Sequence, residues 1–364
     1  MTRAGISCDI FCRVVDNFGD IGVAWRLARQ LAQEHQLTVR LFVDDLDSFH
    51  KLEPAISISA DQQQISAVSV MHWDKSLCVH PGQFVIEAFA VDLPDGYIAA
   101  MAEMPVSPVW INLEHLSAES WVGEHHLLPS PHPRLPLTKY FFFPGFLPDT
   151  GGLIRERHLL AAREAAMSTR EKNHLQIFLF GYGNAAAGAL VAAMRDTPMH
   201  VRCTIPEGAL ATMVQKYVGP SKDLAHRFVS ETIAFTPQQK FDALLWQHDI
   251  LFVRGEDSFV RAQWAGKPFV WQPYPQSDHA HWSKLNAFLV LYCVGLDAAA
   301  AATLQELWRA WNAEDSINIG AAWRQWLHHL PALQTHARAW SQKLALMPDL
   351  AANLLSFYQK TTKI

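Results

Sequence analysis

The chain has 364 residues, of which half are apolar, 18% charged and 11% aromatic, so it exceeds the size at which one core keeps growing and reads as two globular domains. Thirty basic and 35 acidic side chains leave a formal charge of −5, and no Lys/Arg cluster stands out to replace counterions along a phosphate backbone, which excludes nucleic acid as an expected partner. Five scattered cysteines, Cys8, Cys12, Cys78, Cys203 and Cys293, contain no C-x-x-C pair and read as reduced, buried apolar side chains rather than disulfides or a zinc site.

In chain order, residues 6–15 form a β-rich apolar run, after which Ala24, Leu27, Ala28, Leu31 and Ala32 recur at helical spacing. Residues 1–9 lack the apolar segment and cleavage site of a secretory signal, so the expected location is the cytoplasm. Residues 37–43, 65–70, 84–90 and 106–113 read as further short strands separated by helical or polar segments such as 97–104. Such alternation predicts a mainly parallel sheet wrapped by helices. Prolines 129, 131, 133, 136, 144 and 148 with Gly145, Gly151 and Gly152 predict an irregular stretch over 126–152 and a domain boundary near its end.

Residues 155–167 read as a helix, and strands are expected at 175–180, 200–205, 228–235, 250–253 and 268–272, a second doubly wound domain. Helical periodicity then occupies 282–294, 304–311, 321–330, 333–346 and 350–360. The division expected is 1–150, 151–345 and a tail, 346–364, crossing back to the first domain. The stretch 287–304 is cut by Gly295 and Asp297, too broken to span a bilayer. Two such domains place a ligand cleft at the carboxyl ends of their strands, so chemistry is sought in the loops there.

Three strand-to-helix loops stand out. Asp16-Asn17-Phe18-Gly19-Asp20-Ile21-Gly22 sets two carboxylates around a glycine at a helix start, suited to binding and deprotonating a cationic or hydroxylic acceptor. The same pattern fits a turn at Asp16 and a helix cap at Asp20. Phe180-Gly181-Tyr182-Gly183-Asn184 resembles a phosphate-cradling turn, although its next glycine, Gly188, comes too late for G-x-G-x-x-G, which leaves a nucleotide-dependent oxidoreductase as a weaker alternative. Arg254-Gly255-Glu256-Asp257-Ser258 delivers a charged turn whose helix N-terminus can face a diphosphate, with Phe235 and Phe241 able to sandwich a base and Gln238 to read its edge. Asp257 or Ser258 as a mere cap, with both rings in the core, fits as well. Gln272-Pro273-Tyr274-Pro275 forms a stiff polar turn suited to a sugar or phosphate. His279 and His281 are too crowded for two-point metal binding.

The runs Asp16 to Val23 followed by Trp25-Arg26-Leu27-Ala28, and Arg254 to Ser258 followed by Arg261-Ala262, resemble the EarP family of bacterial protein-arginine rhamnosyltransferases, and the likeness extends over essentially the whole chain. The resemblance implies a GT-B fold, two Rossmann-like domains facing across a cleft. It also implies an inverting enzyme that moves L-rhamnose from TDP-β-L-rhamnose to an arginine of elongation factor P, with no metal or other cofactor. The implied catalytic carboxylates are Asp20, Asp16 and Glu256. The implied nucleotide-sugar site comprises Asn17, Phe18, Gly19, Tyr182, Phe235, Gln238, Phe241, Arg254, Asp257, Ser258 and Gln272. A third reading, a non-catalytic partner of the translation machinery, takes the heavy aromatic content as an interface.

Overall fold

The first apolar run becomes the central strand of a sheet because both of its faces are covered. Cys8, Ile10 and Cys12 on one side, and Asp9 and Phe11 on the other, are fully buried. The computed structural model describes residues 5–15, 18–166, 174–218, 228–276 and 279–362. It divides into two units, Met1–Arg157 with Met347–Ile364, and His158–Leu346.

In the first unit β1 (Ser7–Cys12) leads through α1 (Gly19–His35) to β2 (Thr38–Val43), followed by α2 (Leu46–Leu52). Then come β3 (Gln62–Ile65), β4 (Val68–His72), β5 (Phe84–Ala88), α3 (Asp95–Ala102) and β6 (Val109–Leu113). The short α4 (Trp121–His125), β7 (Pro129–Pro131) and β8 (Thr138–Phe142) complete it. The strand order is β3-β4-β2-β1-β5-β6-β8-β7, parallel except where β3 and β7 pair antiparallel with their neighbours.

Two expectations are corrected here. The strand read over 65–70 straddles a hairpin turn, where Ser66 and Ala67 take left-handed φ of 49° and 66°; neither is the Gly or Asn that usually advertises such a turn. The stretch read as irregular holds β7 and β8. Its prolines 129 and 131 lie on the edge strand, where a missing N–H costs least, while Tyr140, Phe141 and Phe142 pair with β6. Asp9 is satisfied inside the unit: it accepts from Arg40 Nε at 2.7 Å and Nη2 at 2.6 Å, from the Gly82 N–H at 2.7 Å, and from the Tyr97 hydroxyl. Of the cysteines, Cys8, Cys12 and Cys203 are buried as expected, whereas Cys78 is exposed and Cys293 half-buried; all are free thiols.

The second unit runs α5 (Leu159–Ala166), β9 (His174–Leu179), α6 (Ala187–Arg195), β10 (His200–Pro206), α7 (Ala209–Val218) and β11 (Phe228–Ile233). It continues with α8 (Gln238–Trp246), β12 (Ile250–Arg254), α9 (Asp257–Ala265) and β13 (Phe269–Gln272). Four helices follow, α10 (Ala280–Tyr292), α11 (Ala298–Asn312), α12 (Ile319–His328) and α13 (Leu330–Ala345). Its five parallel strands are ordered β11-β10-β9-β12-β13. The aromatic load is core packing: Trp308, Trp311, Trp323 and Trp326 are fully buried, and Phe259 stacks on Trp271 with centroids 3.9 Å apart.

The last helix, α14 (Leu350–Thr361), belongs to the first unit, where Leu350, Ala351, Leu354 and Tyr358 join the core around β1 and α1. Its cap, Asp349, accepts from the Ala352 N–H at 3.0 Å and from Gln30 Nε2 of α1 at 3.1 Å. Among the described residues no helix is long and apolar enough to cross a membrane.

His126 follows α4, and its Nδ1 accepts the Phe143 N–H at 3.1 Å, a bond only the neutral ring can make. Burial lowers this imidazole from 6.5 to about 4, partly offset by the Asp149 charge. A histidine depressed on folding contributes stability that is complete above the unfolded value and is lost as pH falls toward the folded one. His126→Asn, whose Oδ1 can take the same N–H, is therefore expected to show a shallower fall in melting temperature between pH 6.5 and 4.5 than the unmodified chain, read by thermal unfolding.

Candidate active site

In the second unit the chain leaves β9 toward β10 on one side and leaves β12 toward β13 on the other. The loops at the carboxyl ends of these neighbouring strands therefore run apart, which is where open parallel sheets take their ligands. Arg254 ends β12, and its guanidinium carbon lies 4.6 Å from the ring centroids of both Phe180 and Tyr182, with Nη1 donating to the Gly181 carbonyl at 3.4 Å. Aromatic faces hold the cation while leaving it suited to an anion.

Gly255 makes this placement possible. Its φ of 61° is left-handed, its N–H donates to the Gln272 carbonyl at 3.0 Å, and its own carbonyl accepts from Trp271 Nε1 at 2.7 Å. The chain then enters α9 at Asp257, with Glu256 as a cap residue that makes no side-chain capping bond. The alternative reading, Asp257 or Ser258 as the cap, is thus not what the helix uses. The Ser258 hydroxyl accepts the Arg254 N–H at 3.1 Å and donates to the Arg254 carbonyl, shaping the turn. Asp257 Oδ2 accepts from Arg261 Nε at 2.9 Å and from Gln238 Nε2 at 3.3 Å.

The other expected donor-side residues gather around this turn. Gln272 Oε1 accepts the Tyr182 N–H at 2.9 Å, and the Tyr182 ring meets Tyr274 edge-on at 5.6 Å. Phe241 on α8 packs edge-on against Phe180 at 5.6 Å and Phe178 at 5.7 Å. Phe235, just before α8, is 38% exposed. The two phenylalanines differ in setting, one packed among rings and one presented to solvent. Asn184 is a brace rather than a ligand group, since it is buried and bonded to the Trp311 carbonyl and the Ala186 N–H, both at 2.8 Å.

In the first unit the corresponding switch lies between β1 and β5. Asp20 is buried in the first turn of α1, where its Oδ2 accepts the Val15 N–H at 2.9 Å. Asp44 accepts the Val14 N–H at 2.9 Å, so two carboxylates shape the loop. The cap of α1 is Phe18, without a side-chain bond, and Gly19 begins the helix; Asp20 is not the cap. Asp16 and Asn17 lie outside the described residues. Burial, then the charges of Asp20 and Asp44, hold the Cys12 thiol well above its usual range, so it is no nucleophile.

At the same end of the sheet stand residues that the sequence did not single out. Phe89 and Ala90, after β5, take left-handed φ of 63° and 56°. Buried Asn112 holds them by accepting the Ala90 N–H at 2.9 Å while donating to Glu114. The Phe89 ring stacks on His115 with centroids 4.4 Å apart. Consecutive left-handed non-glycine residues persist only where surroundings over-determine them. No local signal in the sequence marks them; only the strand order brings them beside the α1 loop. Among the described residues no group of three His, Cys, Asp or Glu side chains has the geometry to hold a metal.

Residues 8–359 match the family model for the elongation factor P (EF-P) rhamnosyltransferase EarP. The chain belongs to that family. It is 46% identical to a protein-arginine rhamnosyltransferase of Pseudomonas putida, over 97% of this chain and 98% of the relative. It is 41% identical to one of Pseudomonas aeruginosa, with the same coverage. A solved structure concerned with EarP-mediated arginine glycosylation of translation elongation factor EF-P is 33% identical and superposes with a TM-score of 0.67 over 98% of this chain and 99% of the other. Acinetobacter baumannii MurG, at 12% identity and a TM-score of 0.52 over 98% and 99%, shares the fold. The chain is thus an enzyme of the GT-B glycosyltransferase fold, a protein-arginine rhamnosyltransferase. The family sets aside both the oxidoreductase and the non-catalytic reading.

Within the Phe180 to Asn184 loop the two glycines are not equivalent. A Cβ on Gly181 would come within 2.9 Å of Gln272 Oε1 and of Leu210 Cδ2, whereas one on Gly183 meets only Met213 and Ala209 side-chain atoms at 3.6 Å or more. Gly181→Ala is expected to destabilise the protein by about 1–3 kcal/mol through overpacking, and Gly183→Ala to be close to neutral, as read from melting temperatures of the two variants.

Proposed function

We propose that the chain moves L-rhamnose from TDP-β-L-rhamnose to an arginine side chain of elongation factor P, with inversion at the anomeric carbon. The observation that carries this reading is the Arg254 turn. A guanidinium lying on the Phe180 and Tyr182 rings stands at the N-terminal end of α9, an arrangement suited to a nucleoside diphosphate. The acceptor is supported by the family's own description, which names EF-P, and by the solved relative concerned with that factor.

The chemistry follows from the acceptor. A guanidinium is resonance-stabilised and holds its protons up to a pKa above ~12, so its nitrogen becomes nucleophilic only as a carboxylate draws off a proton. Asp20 takes that proton while the nitrogen bonds to the anomeric carbon, and the carbon–oxygen bond to the diphosphate breaks, its electron pair leaving with the nucleotide. Asp16 supports Asp20 in binding the cation, and Glu256 is the third carboxylate of the set. One displacement inverts the centre and leaves no covalent enzyme intermediate. Charge gained by the leaving diphosphate is met by Arg254 and by the α9 N-terminus, which replaces the usual need for a divalent cation. The first unit carries the acceptor and the base, the second the nucleotide sugar.

Intact-mass spectrometry of purified elongation factor P incubated with this chain and TDP-rhamnose is expected to show a gain of one deoxyhexose, located on one arginine by peptide mapping; an unchanged mass would overturn the assignment. Asn at position 20 keeps an oxygen for the Val15 N–H but cannot take a proton, so Asp20→Asn should lose more than about 10² in turnover while retaining donor affinity by calorimetry. A chelator should leave the initial rate unchanged.

A further inference from the structure

Glu314 stands where the backbone favours glycine. It follows Ala313, the C-cap of α11, with a left-handed φ of 53°. The Asp315 N–H closes this helix end on the Ala310 carbonyl at 2.9 Å, and the Glu314 N–H donates to the Trp311 carbonyl at 3.3 Å. Helices that end in this way default to glycine at the left-handed position, because a Cβ there is crowded. A longer side chain kept at such a place calls for a contact of its own.

That contact lies 129 residues away in sequence, where Glu314 Oε2 accepts the Ala185 N–H at 2.8 Å. In return Asn184, the neighbour of Ala185, donates through Nδ2 to the Trp311 carbonyl at 2.8 Å and accepts the Ala186 N–H at 2.8 Å. The start of α6 and the end of α11 therefore cap each other. Amides leading into one helix are met by a carboxylate and an amide oxygen, and an end carbonyl of the other is met by an amide NH2 group. The N-cap residue of α6 is Ala186, which has no side chain able to cap, so the Glu314 carboxylate near the positive end of that helix acts in its place.

The reciprocal cap ties down one end of the Phe180 to Asn184 loop. Within the loop Tyr182 donates its N–H to Gln272 Oε1 at 2.9 Å, and its ring centroid lies 4.6 Å from the Arg254 guanidinium carbon. We infer that Glu314 is a positioning residue for donor binding, acting through Ala185 and Asn184 to hold Tyr182 against Arg254 before a nucleoside diphosphate arrives. The inference rests on the donor reading above. A loop ordered in advance adds no ordering entropy to the binding step, whereas a loosened one weakens binding by that entropy.

Glu314→Gly separates positioning from stability. It removes the carboxylate, gives the backbone the residue its φ favours, and leaves an exposed Ala185 whose amide can take water instead. Its melting temperature should be no lower than that of the unmodified chain, whereas its TDP affinity, read by calorimetric titration of the whole chain, should fall about tenfold. Glu314→Gln keeps an acceptor oxygen and should restore affinity to within about threefold of the original. Hydrogen exchange over residues 181–186 should quicken in Glu314→Gly without TDP and slow again once TDP is bound, with KM for the protein acceptor unchanged. A Glu314→Gly protein that binds TDP as the unmodified chain does, or that loses affinity only together with a lower melting temperature, would overturn the role of Glu314. So would failure of Glu314→Gln to restore binding. Failure of the unmodified chain to bind TDP would overturn the donor reading itself.

Discussion

The turn Arg254-Gly255-Glu256 is the constraint on which the proposed donor site rests. A parallel strand delivers its last residue to the edge of the sheet pointing along the strand, and a helix must then start within two residues without covering the gap. Gly255 in the left-handed region makes that reversal, and its amide and carbonyl are both committed, one to Gln272 and one to Trp271. The turn is thereby tied to β13 through the two peptide groups that flank the Gly255 Cα. Arg254 is left over Phe180 and Tyr182 with its charge oriented before any anion arrives, which is how preorganised electrostatics lower a barrier without reorganisation at the moment of reaction.

Rigidity of that kind is costly to build, and the aromatic core supplies it. Trp271 both bonds the Gly255 carbonyl and stacks on Phe259 of α9. Phe259 in turn meets Phe288 edge-on, and Phe288 stacks on Trp308, whose Nε1 donates to the Phe269 carbonyl. Large planar side chains bury much surface with few rotatable bonds, so a chain of them transmits position from helix to loop. The tryptophan-rich helices after β13 thus function as a buttress, and their apolar content reflects packing rather than an interface.

The first unit solves a different problem with carboxylates. Before the α1 loop Asp20 and Asp44 accept successive backbone N–H groups of Val15 and Val14, and Trp73 Nε1 donates to the Cys12 carbonyl at 3.2 Å. Asp20 therefore shapes the loop it stands on, so an isosteric amide is a cleaner probe of its proposed role than alanine. On the neighbouring strands Asn112 holds a left-handed Phe89–Ala90 pair and reaches Glu114, a second strained feature at the end of the sheet where Asp20 stands.

Much of this was legible from local pattern. Short apolar runs bounded by Gly, Pro and Asp located β1, β2, β5, β6 and the inner strands of the second sheet, because a strand buried on both faces leaves an unbroken apolar signature; the edge strand β11, FVSETI, is only partly buried. The loops that carry Asp20, Tyr182 and Arg254 followed, since chemistry collects where such strands end. Where the local signal misled, the tertiary setting explains it. Prolines 129 and 131 look like loop residues until β8 provides an edge that tolerates them, and Ser66-Ala67 makes a hairpin turn without turn residues because β4 is held by β2. What the sequence by itself determined is the inventory: which strands are buried, which loops hold charge and glycine, and to which family they belong. What only the tertiary structure decided is acquaintance between distant residues. Gln272 on Tyr182, Glu314 on Ala185 and Asn112 under Ala90 are contacts across tens of residues, and they exist because strand order, which no local periodicity encodes, sets those segments side by side.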